Sequence, residues 1–124
     1  MQHSPGFLRL VEEARARIRE VSTAEVAQLL EAGERFELID VREGEEWARG
    51  RLPRARHLCK GIIERDVESV VPDPDTPIVL YCGGGYRSAL AADALQRMGY
   101  RRVASMAGGW RDWTAAGLPV TVDG

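Results

Sequence analysis

The 124-residue sequence predicts an α/β domain with a central, mainly parallel sheet flanked by helices. Three observations predict it. Short apolar runs at residues 36–41, 78–81 and 103–106 have the length and composition of strands. Segments of helical period separate them, and alternation of strand and helix is the pattern that makes neighbouring strands parallel. The length suits one small domain, and a hydrophobic content of 44% is ordinary for a chain that buries a core.

Taken in order, residues 7–19 carry Phe7, Leu8, Val11, Ala14 and Ile18 at helical spacing with charges between them, after Ser4 and Pro5. This amphipathic helix reads as packed on the outside of the domain, contact with a second copy or another partner being the alternative. Ser22 and Glu25 have capping-box spacing and open a helix over 23–32 that Gly33 closes. Residues 36–41 form the first apolar strand. A short helix over 43–49 and a turn at 50–53 follow, leading to a brief strand around His57 and Leu58. Residues 62–70 again alternate helically, and Pro72, Pro74 and Pro77 force a loop. Strand 78–81 runs into Cys82, and Ala89, Leu90, Ala91, Ala94, Leu95 and Met98 mark the next helix. The last strand surrounds residues 103–106.

Residues 79–88 read V-L-Y-C-G-G-G-Y-R-S: a strand, a tight loop and a helix start. In open α/β sheets, ligand loops lie at the carboxyl ends of strands, and Cys82 occupies such an end. Gly83, Gly84 and Gly85 let backbone N–H groups turn toward the Cys82 sulfur. Those amides, the positive end of the following helix and Arg87 all favour a negative charge there, hence a nucleophilic thiolate. Packing alone explains three consecutive glycines poorly, because glycine adds no side-chain contact and costs chain entropy. The planar fork of Arg87 suits either an oxyanion or a nearby carboxylate that would fix the loop. Ser88 can donate to the thiolate, helix capping being its more ordinary role. Tyr86 either walls the pocket or packs on the surface.

Several other residues read as structural. Asp40 and Arg42, at a strand end, suit a pair that fixes neighbouring loops, and Trp47, Trp110 and Trp113 suit packing. His57 is not assigned as a general base, since a thiol already ionised by its loop needs no imidazole.

Composition excludes some partners. The formal net charge is -2 with acids and bases interspersed, so neither nucleic acid nor a membrane surface is implied. Sixteen of the seventeen basic residues are arginine, a compositional bias that lowers the weight of any single surface arginine. No apolar run reaches the length of a membrane span and the N-terminus lacks a basic start followed by an apolar segment, which points to the cytoplasm. Two cysteines give no disulfide framework and suit a reducing compartment. No Cys or His spacing matches a zinc site, and neither a metal nor another cofactor is expected.

The loop from Cys82 to Arg87, with its strand and helix, resembles the active-site loop of rhodanese (sulfurtransferase) domains. Leu38-Ile39-Asp40-Val41-Arg42 with Glu46-Trp47, Gly50-Arg51-Leu52-Pro53-Arg54-Ala55, and Gly108-Gly109-Trp110 with Trp113 resemble further segments of that family. Their order and spacing together carry the resemblance. It implies a three-layer rhodanese-like domain over residues 21–120, preceded by an N-terminal helical extension over 1–20. It also implies sulfur transfer through a persulfide on catalytic Cys82, with Gly83, Gly84, Gly85, Tyr86, Arg87 and Ser88 binding substrate. The donor would be a small sulfur-containing anion such as thiosulfate. The acceptor would be cyanide in an assay and a thiol or protein cysteine in the cell, the protein being a monomer or weak dimer.

Two other classes are weighed against this one. Phosphatases and arsenate reductases also end a thiolate loop in arginine, but their loops are one residue longer between Cys and Arg, and the tighter ring suits a terminal sulfur. A regulatory rhodanese-like module without activity usually lacks the nucleophile, which is present here. The chain departs from the family pattern at Arg51, in place of a frequent histidine, and at Arg54, in place of a frequent glycine. Cys59 is a third departure. It reads as filler of a small niche, or as a thiol that resolves Cys82 as a disulfide. Lys60 and Arg65 would add positive potential nearby or be solvated surface charge.

Overall fold

The computed structural model describes residues 3–122. Its elements are α1 (Pro5–Arg15), β1 (Arg19–Val21), α2 (Thr23–Glu31), β2 (Glu37–Asp40), α3 (Gly44–Arg49) and β3 (Arg56–His57). Then come α4 (Ile63–Val70), β4 (Ile78–Tyr81), α5 (Tyr86–Arg97), β5 (Val103–Met106) and α6 (Gly109–Ala115). The five strands form one sheet in the order β1-β5-β4-β2-β3, and every pairing is parallel. The α/β class and the helix-flanked parallel sheet expected from the sequence are both present.

The central strands β4 and β5 are buried on both faces, so β4 reads as an unbroken apolar run and β5 is interrupted only by Ser105, rather than alternating. Alternation still sorts their side chains. Ile78, Leu80 and Cys82 join Ile39, Ile63, Val67 and Leu95 in a core under α4 and α5. Val79 and Tyr81 join Val26, Leu38, Met106 and Trp113 in a second core under α2 and α6. Burial of these side chains, each contributing about 1.5–3 kcal/mol, is what holds the three layers together.

Two elements differ from expectation. The first helix ends at Arg15, not Arg19, and the chain turns into the edge strand β1, which pairs with β5. Residues 109–115, read only as tryptophan packing, form α6. The Ser22–Glu25 capping box is made in both directions, at 3.1 and 3.0 Å. Asp40 and Arg42 form a buried bidentate pair, and Arg42 also donates to the Gly50 carbonyl at 2.6 Å.

Candidate active site

Strand β4 lies between β5 and β2, so the loop after Tyr81 emerges at the middle of the sheet's carboxyl edge. The Cys82 side chain turns toward the α4/α5 face and is 1% exposed. Its sulfur accepts from the N–H of Gly85 at 3.1 Å and of Ser88 at 3.4 Å. Of the amides expected to converge there, these two make the contact. The thiol also faces Ser88 Oγ at 3.5 Å, and that hydroxyl pairs at 2.8 Å with Ser105 Oγ from β5. Ser88 does not cap the helix. Gly85 is the N-cap, and the Ser88 hydroxyl, fully buried, points to the sulfur and Ser105.

Two glycines set this geometry. Gly85 has φ +94°, where a side chain is strained, and a Cβ there would stand 3.1 Å from the Gly108 nitrogen. Gly109, at φ +53°, lies against the Cys82 carbonyl oxygen, which a Cβ would strike. That close approach lets Trp110 N–H donate to the Cys82 carbonyl at 2.8 Å and Arg111 N–H to that of Gly83 at 2.9 Å. The first amides of α6, which no helix satisfies internally, therefore hold the Cys82 loop in place.

Arg87 reaches a carboxylate. Its two terminal nitrogens donate to Glu46 of α3 at 2.8 and 3.1 Å. The guanidinium holds the Glu46 carboxyl below its usual range against the opposing effect of burial. Glu46 in turn raises Arg87, against burial and with the Cys82 sulfur adding to the effect. A methyl on Gly83 would stand 3.0 Å from Arg87 Nη2, so the guanidinium lies directly on the loop.

Above Cys82 opens a cavity of about 560 Å³. Gly83 and Gly84 edge it, Glu46 and Arg87 form one side, and Tyr86 lines another. Sequence reasoning missed three further lining residues, His3, Phe7 and Arg111, and gave Glu46 no role. Those residues come from three other elements or their flanks, so no local pattern joins them to Cys82; Glu46 alone lies in a segment that carries the family resemblance. A more apolar groove of about 350 Å³ between α2 and α6 holds no nucleophile.

The remaining candidates lie away from the sulfur. His57 stacks on Trp47 at 5.0 Å, and its Nε2 lies 2.7 Å from the Arg42 carbonyl oxygen, a structural placement. Asp40 opposes both Tyr81 and His57 in the sheet, so β3 stands two strand spacings, about 10 Å, from β4. Cys59 lies two residues beyond the end of β3. Both thiols are free. Cys59 does not line the cavity, and Arg65 is paired with Asp66 at 2.7 Å.

A parallel sheet with a cysteine at its central carboxyl edge, two backbone amides directed at its sulfur, defines a thiol-based α/β domain. Residues 22–116 match the Rhodanese-like domain family, and the chain belongs to that family. It is 37% identical over 102 residues to a protein of Bacillus subtilis (strain 168) named "Putative sulfurtransferase YtwF", covering 82% of this chain and 96% of the other. The polysulfide-sulfur transferase homodimer of Wolinella succinogenes superposes with a TM-score of 0.79 at 28% identity, covering 94% and 87% of the two chains. A protein of unknown function from Rhodopseudomonas palustris CGA009, described as a "Possible Tyrosine Phosphatase", superposes with a TM-score of 0.85 at 31% identity and covers 98% of each chain. The sulfurtransferase names among these relatives support a transferase. Among the described residues, no helix is long and apolar enough to cross a membrane.

Proposed function

We infer that the protein is a single-domain sulfurtransferase that carries a sulfane sulfur as a persulfide on Cys82. The observation that carries this reading is the Cys82 sulfur itself. It lies at the floor of the cavity with two backbone N–H groups directed at it, and the same donors would stabilise charge on a bound sulfur. With thiosulfate as donor, the thiolate attacks the outer sulfur. The new S–S bond forms as the donor's S–S bond breaks, and sulfite leaves with the electron pair. A thiol, a protein cysteine or, in an assay, cyanide then takes the terminal sulfur and restores the thiolate. The two free thiols accord with a reducing compartment such as the cytoplasm.

Intact-protein mass spectrometry after incubation with thiosulfate tests it. The wild type gains one sulfur, cyanide removes it as thiocyanate, and Cys82→Ala gains none. No gain on the wild type, with the thiol shown free, removes thiosulfate as the donor.

The likeness to a protein described as a possible tyrosine phosphatase favours a second reading. Against it stand the short Cys82–Arg87 spacing and the engagement of Arg87 by Glu46, which takes up the donors a phosphoryl group would need. Hydrolysis of p-nitrophenyl phosphate, absent in Cys82→Ala, would establish it.

A further inference from the structure

Helix α1 lies outside the residues that match the family, yet its end reaches the cavity above Cys82. The His3 ring stands 5.2 Å from Phe7 and 4.4 Å from Tyr86, and Phe7 stands 6.1 Å from Tyr86. All three residues are half-buried and line the cavity. The arrangement is held from behind. Val11 and Ala14 are buried where α1 packs on α5, and Arg17 grips Asp93 of α5 at 2.9 and 2.7 Å. The Arg15 guanidinium lies over the Tyr86 ring, 4.9 Å from its centroid.

The polar side of the cavity is poorly disposed to a compact, multiply charged anion. Glu46 and Arg87 cancel one another's charge, so the pair offers an anion no net positive charge. Arg111 is the cation left over, 71% exposed and only 3.7 Å from Asp112, with its Nη1 3.7 Å from where a Gly84 Cβ would stand. A cavity of about 560 Å³ lies in the range that holds organic ligands. Thiosulfate would leave the aromatic side untouched.

We propose that His3 and Phe7 are specificity-determining residues that select an organic sulfur donor, one with an aromatic body beside a singly charged thiosulfonate-type group, over inorganic thiosulfate. The proposal rests on the sulfurtransferase reading of Cys82 and names its substrate class. The aromatic body packs against His3, Phe7 and Tyr86, and Arg111 faces the sulfonyl oxygens. The Cys82 thiolate bonds to the donor's terminal sulfur as the bond from that sulfur to the sulfonyl group breaks. The electron pair leaves on the sulfinate. One negative charge stays on the persulfide, so no proton, oxidant or reductant is consumed.

Benzenethiosulfonate and methanethiosulfonate carry the same charge and the same reacting sulfur, and differ in the body. Initial rates of sulfur gain on Cys82 are measured for both by mass spectrometry of the full chain. The phenyl-to-methyl rate ratio of wild type falls roughly fivefold in Phe7→Ala, the effect of removing one aromatic face from a contact. It also falls in His3→Ala, whose ring lies before the helix, so that its loss leaves the contact of Val11 and Ala14 with α5 in place. Leu10→Ala, exposed on the same helix, leaves the ratio at the wild-type value. A ratio unchanged in both His3→Ala and Phe7→Ala, with native circular dichroism, overturns the proposal. Failure of both organic donors to load a Cys82 that thiosulfate does load overturns this donor class alone, and failure of all three donors overturns the sulfurtransferase reading as well. Alkylation of Cys82 by N-phenyliodoacetamide and by iodoacetamide then judges the aromatic wall alone: a lower aryl preference in Phe7→Ala upholds it, and an equal one removes it.

Discussion

Arg54 stands where the resemblance to the rhodanese turn implies glycine, and its backbone shows why. It is the one non-glycine among the described residues with a positive φ, +67°. A left-handed conformation costs an L-residue about 1–2 kcal/mol, more than the roughly 0.5–1 kcal/mol of extra chain entropy that glycine loses on folding. The turn after α3 therefore keeps its geometry and bears the strain. The neighbouring Leu52 N–H donates to the Tyr81 hydroxyl at 3.1 Å, and Arg51 pairs through its backbone with Thr121, which fix the segment around it. Arg54 is exposed, so its side chain is not needed for packing. Arg54→Gly is expected to stabilise the fold by about 0.5 kcal/mol, seen as a higher urea midpoint with an unchanged slope. A lower midpoint would mean that the arginine side chain contributes more than its backbone strain removes.

Among the elements, α6 matters most to the site, because its first turn meets the Cys82 loop. Gly109→Ala places a methyl against the Cys82 carbonyl in a strained backbone, with an expected cost of about 2–3 kcal/mol and slower alkylation of Cys82. Gly84→Ala, whose Cβ would make ordinary contact with the Tyr86 ring at 3.5 Å, should change stability by no more than about 0.5 kcal/mol. Equal costs for the two would show that loop flexibility, not close approach, is what the glycines supply. Residues 78–82, the capping box at Ser22 and the helix over 86–97 were legible in the sequence because their patterns are local. Strand β1 was not, since Arg19-Glu20-Val21 has little apolar signal and exists through pairing with β5. Seven residues opening on glycine are likewise too few to show the helical period of α6. Cys82 and its loop could be read for the same local reason. Glu46, Arg111 and the rings of His3 and Phe7 reach the cavity only through tertiary packing.

Across the whole molecule, two charge pairs tie distant segments to α5. Arg87 at its start holds Glu46 of α3, and Asp93 near its end holds Arg17 from the link between α1 and β1. Both carboxyls sit below their ordinary values, 4.5 for Glu46 and 3.8 for Asp93, chiefly through hydrogen bonds from Arg87 and Arg17. A carboxyl with a lower value in the folded chain adds stability that is fully present above its unfolded value. That stability is lost as pH falls through the folded value, because the folded state must then give up a favoured charge. The fold should accordingly hold a constant urea midpoint with respect to these two groups from pH 7 down to about pH 5, then lose stability toward pH 3. Asp93→Asn removes one of the two titrations, so its midpoint lies below that of wild type at pH 7 and the gap narrows at pH 3. Hydrogen exchange adds a spatial readout. The variant should lose protection first in α1, which packs on α5 beside this pair, while β4 keeps its protection at neutral pH. A gap that stays constant from pH 7 to pH 3 would show that Asp93 acts through packing rather than through its charge. The aromatic wall of the cavity above Cys82 would then owe its position to the packing of α1 on α5, Val11 and Ala14 included, and not to the charge of the pair.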